Sequence, residues 1–252
     1  MNQKNFEYLQ DQLTFNGFGA GLSERLLTAM QSQIPEFSLP YQVRFGKDEL
    51  RASLNFQKSA HQDLYFFKSY LASLKNHGQS QRINQLFYIQ PSGSINLKEA
   101  FNLLQGRAVE KQLLDQQGDP YHAWLQLDFK NSDAAGNFKI KQFTQDYGYD
   151  LGRALSKLSL KELSNDESKA RLLDSLRGGN RQQVTLLYEG QQHKFFIEAS
   201  PQFKGIIAYN QHSVRQQIQS ATSLQQQRQQ PGLLTDQSQR LASQREQGLL
   251  PN

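Results

Sequence analysis

The sequence predicts an α+β protein built mostly of antiparallel sheets, and three observations predict it. Apolar residues recur at helical spacing through the first 33 positions, then switch to strict alternation between residues 37 and 90. From residue 91 a helical stretch, a glycine and a set of short alternating runs are written twice. The hydrophobic share is only 37% of 252 residues, against about 45–50% (Gly included) in an ordinary globular chain. Part of the length therefore contributes nothing to a core.

Phe6, Leu9, Leu13 and Phe15 mark the first helix, which Gly17, Gly19 and Gly21 break. Leu26, Leu27 and Met30 form the stripe of a second helix over residues 23–33, ended by Pro35. Tyr41, Val43 and Phe45 then alternate with polar neighbours, as do Ala52, Leu54 and Phe56. Leu64, Phe66, Tyr70 and Leu74 share one parity of a third run, which leaves Tyr65 and Phe67 on the opposite face for helices to cover. A fourth run covers residues 83–90. Polar turns such as Gly46-Lys47-Asp48 and Asn76-His77-Gly78 join the runs into an antiparallel meander.

Asn96 offers a cap for a helix over residues 97–105, with Glu99 in the capping-box position and Gly106 as its end. Strands follow near Arg107-Ala108-Val109, over 121–129 and over 138–143. Helices over 150–158 and 166–177 precede strands over 183–188, 194–199 and 203–209. The stretch from Leu103 through Gly106, Gly118, Ala123–Leu127 and Phe138 matches that from Ser175 through Gly178, Gly190, Phe195–Ala199 and Phe203. Each is a helix ended by Gly, a strand, a Gly turn and two more strands. Gly106 and Gly178 are expected in the left-handed conformation that side chains disfavour. Three regions result: helices plus meander over 1–90, the two-copy repeat over 91–209, and a Gln-rich tail over 210–252.

Leu97-Lys98-Glu99-Ala100 through Gly106-Arg107-Ala108-Val109, Ala123-Trp124-Leu125-Gln126-Leu127-Asp128-Phe129-Lys130, Gly136-Asn137-Phe138-Lys139 and Tyr147-Gly148-Tyr149-Asp150-Leu151 resemble uncharacterised proteins of Bacteroidota conjugative and other mobile elements. Those proteins carry a short repeated domain of unknown function. The resemblance spans most of residues 1–208 and implies a mobile-element setting. It supplies no activity and no catalytic residues.

In the tail, Val214, Ile218, Ala221 and Leu224 keep helical spacing, which predicts a thin helix over residues 213–229. Pro231-Gly232 breaks it, and the polar remainder is expected to stay disordered. Cysteine is absent, so disulfides and thiolate chemistry are excluded, and a reducing, cytoplasmic location fits. Neither a signal peptide nor a membrane-spanning run is apparent at the start or along the chain. The net charge of +5 (28 Lys and Arg, 23 Asp and Glu) is spread along the sequence rather than gathered in a stripe.

The sequence predicts no catalytic residue, no cofactor and no metal ligand. Zinc-protease, phosphate-loop, nucleophile-elbow and dinucleotide fingerprints are all missing. The five histidines are scattered. Asp150 reads as a helix N-cap, and Asp128 and Asp133 as turn formers. One segment stands out. Along residues 121–129 the odd positions are apolar, whereas the even ones are His122, Trp124, Gln126 and Asp128, so the single Trp lies on the polar parity. In the second copy Phe196 takes the place of Trp124, beside Lys194, and a pairing strand brings Lys139 and Lys141 to the first face. Aromatic rings beside cations and amides suit a protein hot spot unless helices from the same chain cover them, and the expected function is a non-enzymatic binding protein with a protein partner. The alternative is nucleic-acid binding through Lys139, Lys141, Lys194 and Arg181 on the same face.

Overall fold

The computed structural model describes residues 2–188 and 190–216, among which lie five α-helices and three antiparallel sheets. Helix α1 (Gln3–Phe15) starts at Asn2, whose side chain accepts the Asn5 amide, and buries Leu9 and Leu13. Phe15 is 83% exposed. Two residues beyond Leu13 a helix has turned by about 200°, so Phe15 points away from the stripe that its neighbours form. Helix α2 (Ser23–Gln31) buries Leu26 and Met30.

Both helices pack on a sheet of order β1-β2-β3-β4: β1 (Glu36–Phe45), β2 (Asp48–Lys58), β3 (Tyr65–Lys75) and β4 (Ile83–Tyr88). Strand β2 alternates as expected, with Leu50, Ala52, Leu54 and Phe56 inward. Strand β3 corrects the sequence reading. Asn55 pairs with Ser69 but Phe56 pairs with Phe67, so Lys68 is an extra residue and the alternation changes phase there. Tyr65 and Phe67 therefore join Tyr70, Ala72 and Leu74 in the core, and Phe66 turns outward. Asn5 fastens α1 to this strand: its side chain accepts from the Tyr65 amide at 2.7 Å and donates to the Tyr65 carbonyl at 3.0 Å.

Helix α3 (Leu97–Leu104) carries the expected capping box. Asn96 accepts the Glu99 amide and Glu99 accepts the Asn96 amide, both at 2.9 Å. The second sheet, β5 (Val109–Leu114), β6 (Pro120–Ser132) and β7 (Phe138–Thr144), then sends Ala123, Leu125 and Leu127 into the same core as α3. A second core lies behind it. Helices α4 (Leu151–Ser156) and α5 (Asp166–Arg177) supply Leu155 and Leu176, and the third sheet supplies Val184 and Ile197. That sheet has the order β11-β10-β9-β8, from β8 (Gln182–Tyr188), β9 (Gln191–Ser200), β10 (Gly205–Tyr209) and β11 (Arg215–Gln216). The middle sheet thus has a hydrophobic core on each face.

Both copies of the repeat are a helix followed by a three-stranded meander, α3–β5–β6–β7 and α5–β8–β9–β10. Gly106 is left-handed as expected, at φ +80°, but Gly178 caps α5 at φ −68° and it is Gly179 that takes φ +75°. Gly179 lies against the first copy. A Cβ there would sit 2.8 Å from the Ala108 carbonyl oxygen. Beside it the buried Asn102 donates to the Gly178 carbonyl at 2.6 Å and to the Asn180 side chain at 3.0 Å. The helix-to-strand turns of the two copies are therefore packed on one another.

The tail helix is corrected at its beginning. Ser213 has φ +60°, and Arg215 and Gln216 pair with Tyr209 and Ala208. Asn210 closes that hairpin, its amide donating to the Val214 carbonyl and its side chain accepting the Val214 amide, both at 3.0 Å. The expected helix beyond residue 216, and the expected disorder after 230, lie outside the described residues. No helix among the described residues is long and apolar enough to cross a membrane.

Candidate binding site

Strand β6 positions the residues that the sequence singled out. Its even side faces the second core, and the registers set Trp124 between Glu110 of β5 and Phe143 of β7, with Gln126 opposite Lys141 and Asp128 opposite Lys139. Lys139 and Lys141 do share the face of Trp124. The face itself is not open. Trp124 is 5% exposed, with its ring edge-on to Tyr149 at 5.4 Å between centroids.

Of the two environments that the sequence leaves open for these aromatics, exposed or covered by helices of the same chain, Trp124 takes the covered one. An even position on β6 is polar-side only if nothing lies behind the first copy, and the second copy lies there. Phe196 is not the counterpart of Trp124 in environment. It is half-buried between Gln183 and Tyr209, on the face of the third sheet that it shares with Glu198. The cations expected on one face are also divided. Lys139 and Lys141 belong to the middle sheet, and Lys141 pairs with Asp128 at 3.3 Å. Lys194 and Arg181 belong to the third, where Arg181 pairs with the buried Glu198 at 2.7 Å and stacks over Tyr209. Gln126 is half-buried and donates to the Gly106 carbonyl at 2.7 Å. Its other amide atom, Oε1, is buried without a partner among the described residues.

What remains of the face is a cleft. It has a volume of about 740 Å³, and Trp124, Phe143 and Tyr149 form its aromatic side while Glu110, His122 and Arg177 stand on its rim. Arg177, the last residue of α5, reaches Glu110 at 3.0 Å and Asp174 at 3.4 Å. Asp150 and Arg153 enter from α4, where the Asp150 carboxylate accepts the Arg153 amide at 2.9 Å, the cap that the sequence predicted. Burial pushes the Tyr149 hydroxyl well above the usual tyrosine range, and that hydroxyl donates to the Gly205 carbonyl at 3.1 Å. It is thus a neutral strut at neutral pH. The exposed His122 is the member of the predicted set most open to solvent beside the cleft.

Sequence reasoning missed Glu110, Arg153, Arg177 and Tyr149. The pairing of β5 with β6 and the docking of α4 and α5 behind them bring these residues together. The remaining turn carboxylates behave as expected. Asp133 accepts the Ala135 and Asn137 amides, both at 2.9 Å, and these bonds hold its carboxyl below the usual aspartate range. No group of three His, Cys, Asp or Glu among the described residues is arranged to hold a metal ion. No protein-family model matches the chain, and neither a curated protein nor a solved structure is found to be similar to it.

Proposed function

We propose that this chain is a non-enzymatic accessory protein of a mobile genetic element, acting in the cytoplasm, and that it binds a partner protein at the Trp124 cleft. The observation that carries the reading is the composition of that cleft. Tyr149, Arg177 and the edge of Trp124 are residue types enriched in protein hot spots, and the volume of about 740 Å³ lies within the range of ligand pockets. Three of the titratable groups of the cleft already have structural work, and His122 stands exposed on its rim. Glu110 is engaged by Arg177, Asp150 caps α4, and Tyr149 is tied to Gly205. That leaves recognition, rather than proton transfer, as the chemistry that the cleft supports best. The cysteine-free composition supports a reducing compartment, and the resemblance of residues 97–151 supports the mobile-element setting.

The test is comparative co-purification from the cells that encode the chain, using the tagged wild type, the double variant His122→Glu/Arg153→Glu, and Lys130→Glu as a surface control. Retention of one protein by the wild type and the control, with its loss from the cleft variant, is the expected result. An identical set of proteins on all three would refute the reading.

A further inference from the structure

The outward face of the first sheet is a second surface, separate from the cleft. Because β2 buries Leu50, Ala52, Leu54 and Phe56, it turns Arg51, Ser53, Asn55 and Gln57 to the outside. The registers place Ser38 and Gln42 of β1 beside them on one side, and Ser69, Leu71 and Ser73 of β3 on the other. Hydrogen bonds run across this floor: Ser38 donates to Asn55 at 2.8 Å and Asn55 donates to Ser69 at 3.1 Å. An apolar protein surface laid here would strip water from that row of amides and hydroxyls without replacing it.

Two rings stand on this face on neighbouring strands, with Leu71, 41% exposed, between the polar side chains. Phe66, turned outward by the Lys68 bulge, is 47% exposed, and Tyr88, opposite Ser69, is 64% exposed. Two shallow depressions mark the same face, one bounded by Arg25, Gln42 and Arg51 and the other by Ser38, Gln57 and Lys68. Charge is one-sided around them. Arg25, Arg44, Arg51, Lys68, Lys75 and Arg82 face or rim the sheet, with Glu36 and Glu49 on the same face and Asp63 in the turn before Phe66. Glu49 is engaged by Arg51 at 3.0 Å and by Arg82, and Glu36 accepts from Gln57. Four cations remain: Arg25 donates to the Pro40 carbonyl at 3.2 Å, and Arg44, Lys68 and Lys75 carry the rest. Rings that accept a stacked base, a hydrogen-bonding floor and surplus cations for phosphates are the components of a single-strand platform.

We propose that the outward face of β1–β4 binds single-stranded nucleic acid, with bases stacked on Phe66 and Tyr88 and phosphates along Arg44, Lys68 and Lys75. The probes are fluorescein-labelled oligo-dT and oligo-rU of about 12 nucleotides, titrated with the full chain at about 50 mM salt and read by fluorescence anisotropy. Expected is binding whose log K falls with log salt at a slope of about −2, the value for three neutralised phosphates on a single strand. Phe66→Ala or Tyr88→Ala weakens it by about 5- to 150-fold, the range for loss of one stacked base. Lys68→Glu/Lys75→Glu weakens both probes while leaving the far-UV spectrum and Trp124 emission as in the wild type. The dT and rU arms tell DNA from RNA preference, and His122→Glu/Arg153→Glu leaves both unchanged. Failure of both probes to bind at low salt overturns the proposal. So does binding that is indifferent to Phe66, Tyr88 and Lys68, or that is lost instead in Lys139→Glu/Lys194→Glu.

Discussion

Adjacent glycines at the end of α5 should respond to the same substitution in opposite directions. Gly179 sits at φ +75°, and a Cβ on it would meet the Ala108 oxygen at 2.8 Å, Val109 Cγ2 at 2.9 Å and Asn102 Cβ at 3.1 Å. Gly179→Ala therefore incurs the left-handed penalty of about 1–2 kcal/mol and an overpacking cost of about 1–3 kcal/mol. The sum is about 2–5 kcal/mol, because the backbone oxygen belongs to the turn of the other copy and has no room to retreat. Gly178 has φ −68°, and its Cβ would meet nothing closer than 3.6 Å. Gly178→Ala narrows the unfolded ensemble without a clash, a gain of about 0.4–1 kcal/mol. Urea unfolding followed by emission of the single Trp, which lies in the second core, reads both. At about 2–4 °C per kcal/mol for a chain of this size, the two melting temperatures should also separate by roughly 5–20 °C. Equal stability of the two variants, or the reverse order, would refute the claim that the repeat copies are locked through this turn.

The two aromatic residues that the sequence paired should likewise part company. Trp124→Ala is expected to lose about 3–5 kcal/mol as a core deletion, whereas Phe196→Ala at a half-buried position loses markedly less; denaturant midpoints decide it. Asp133 and Asp128 are held below the usual aspartate range, Asp133 by the Asn137 backbone and side chain and Asp128 by the Asn131 side chain. A carboxyl whose folded pKa is depressed stabilises the fold above its unfolded value of about 3.9 and loses that contribution as pH falls through the folded value. Carboxyl-carbon NMR titration should therefore place both midpoints below about 3.9, and the hairpin between β6 and β7 should loosen only on the acid side of them. Midpoints at or above that value would contradict the geometry of the turn.

Much of the fold is legible in the sequence because it is written in local periods. Helix caps at Asn96 and Asp150, the alternation of β2 and the copied helix-plus-meander all depend on residues within a few positions of each other. The rest is not legible for one physical reason. A single inserted residue at Lys68 reverses inside and outside for the first part of β3, and no local pattern announces it, since Phe66 and Phe67 are equally apolar. The sequence leaves Trp124 open between surface and core for a longer-range version of the same reason. Which parity of a strand is the surface depends on how many layers the chain stacks, and α5 and the third sheet arrive behind β6 from some 50 residues later.

The consequences of those two placements are connected. Covering Trp124 leaves a cleft that its ring lines together with Glu110, His122 and Arg177. Uncovering Phe66 puts a ring on the first sheet, where the sequence had placed a core residue. The even side of β6 and the outer side of β3 therefore exchange roles. Aromatic exposure moves to the sheet whose floor is hydrogen-bonded Ser and Asn and whose rim is cationic. Phosphate-bearing partners favour such a rim, and a mixed-charge, aromatic-sided cleft favours a protein side chain. The two proposed surfaces lie on different sheets that share one core through α3 and β6, so each can be altered without unmaking the other.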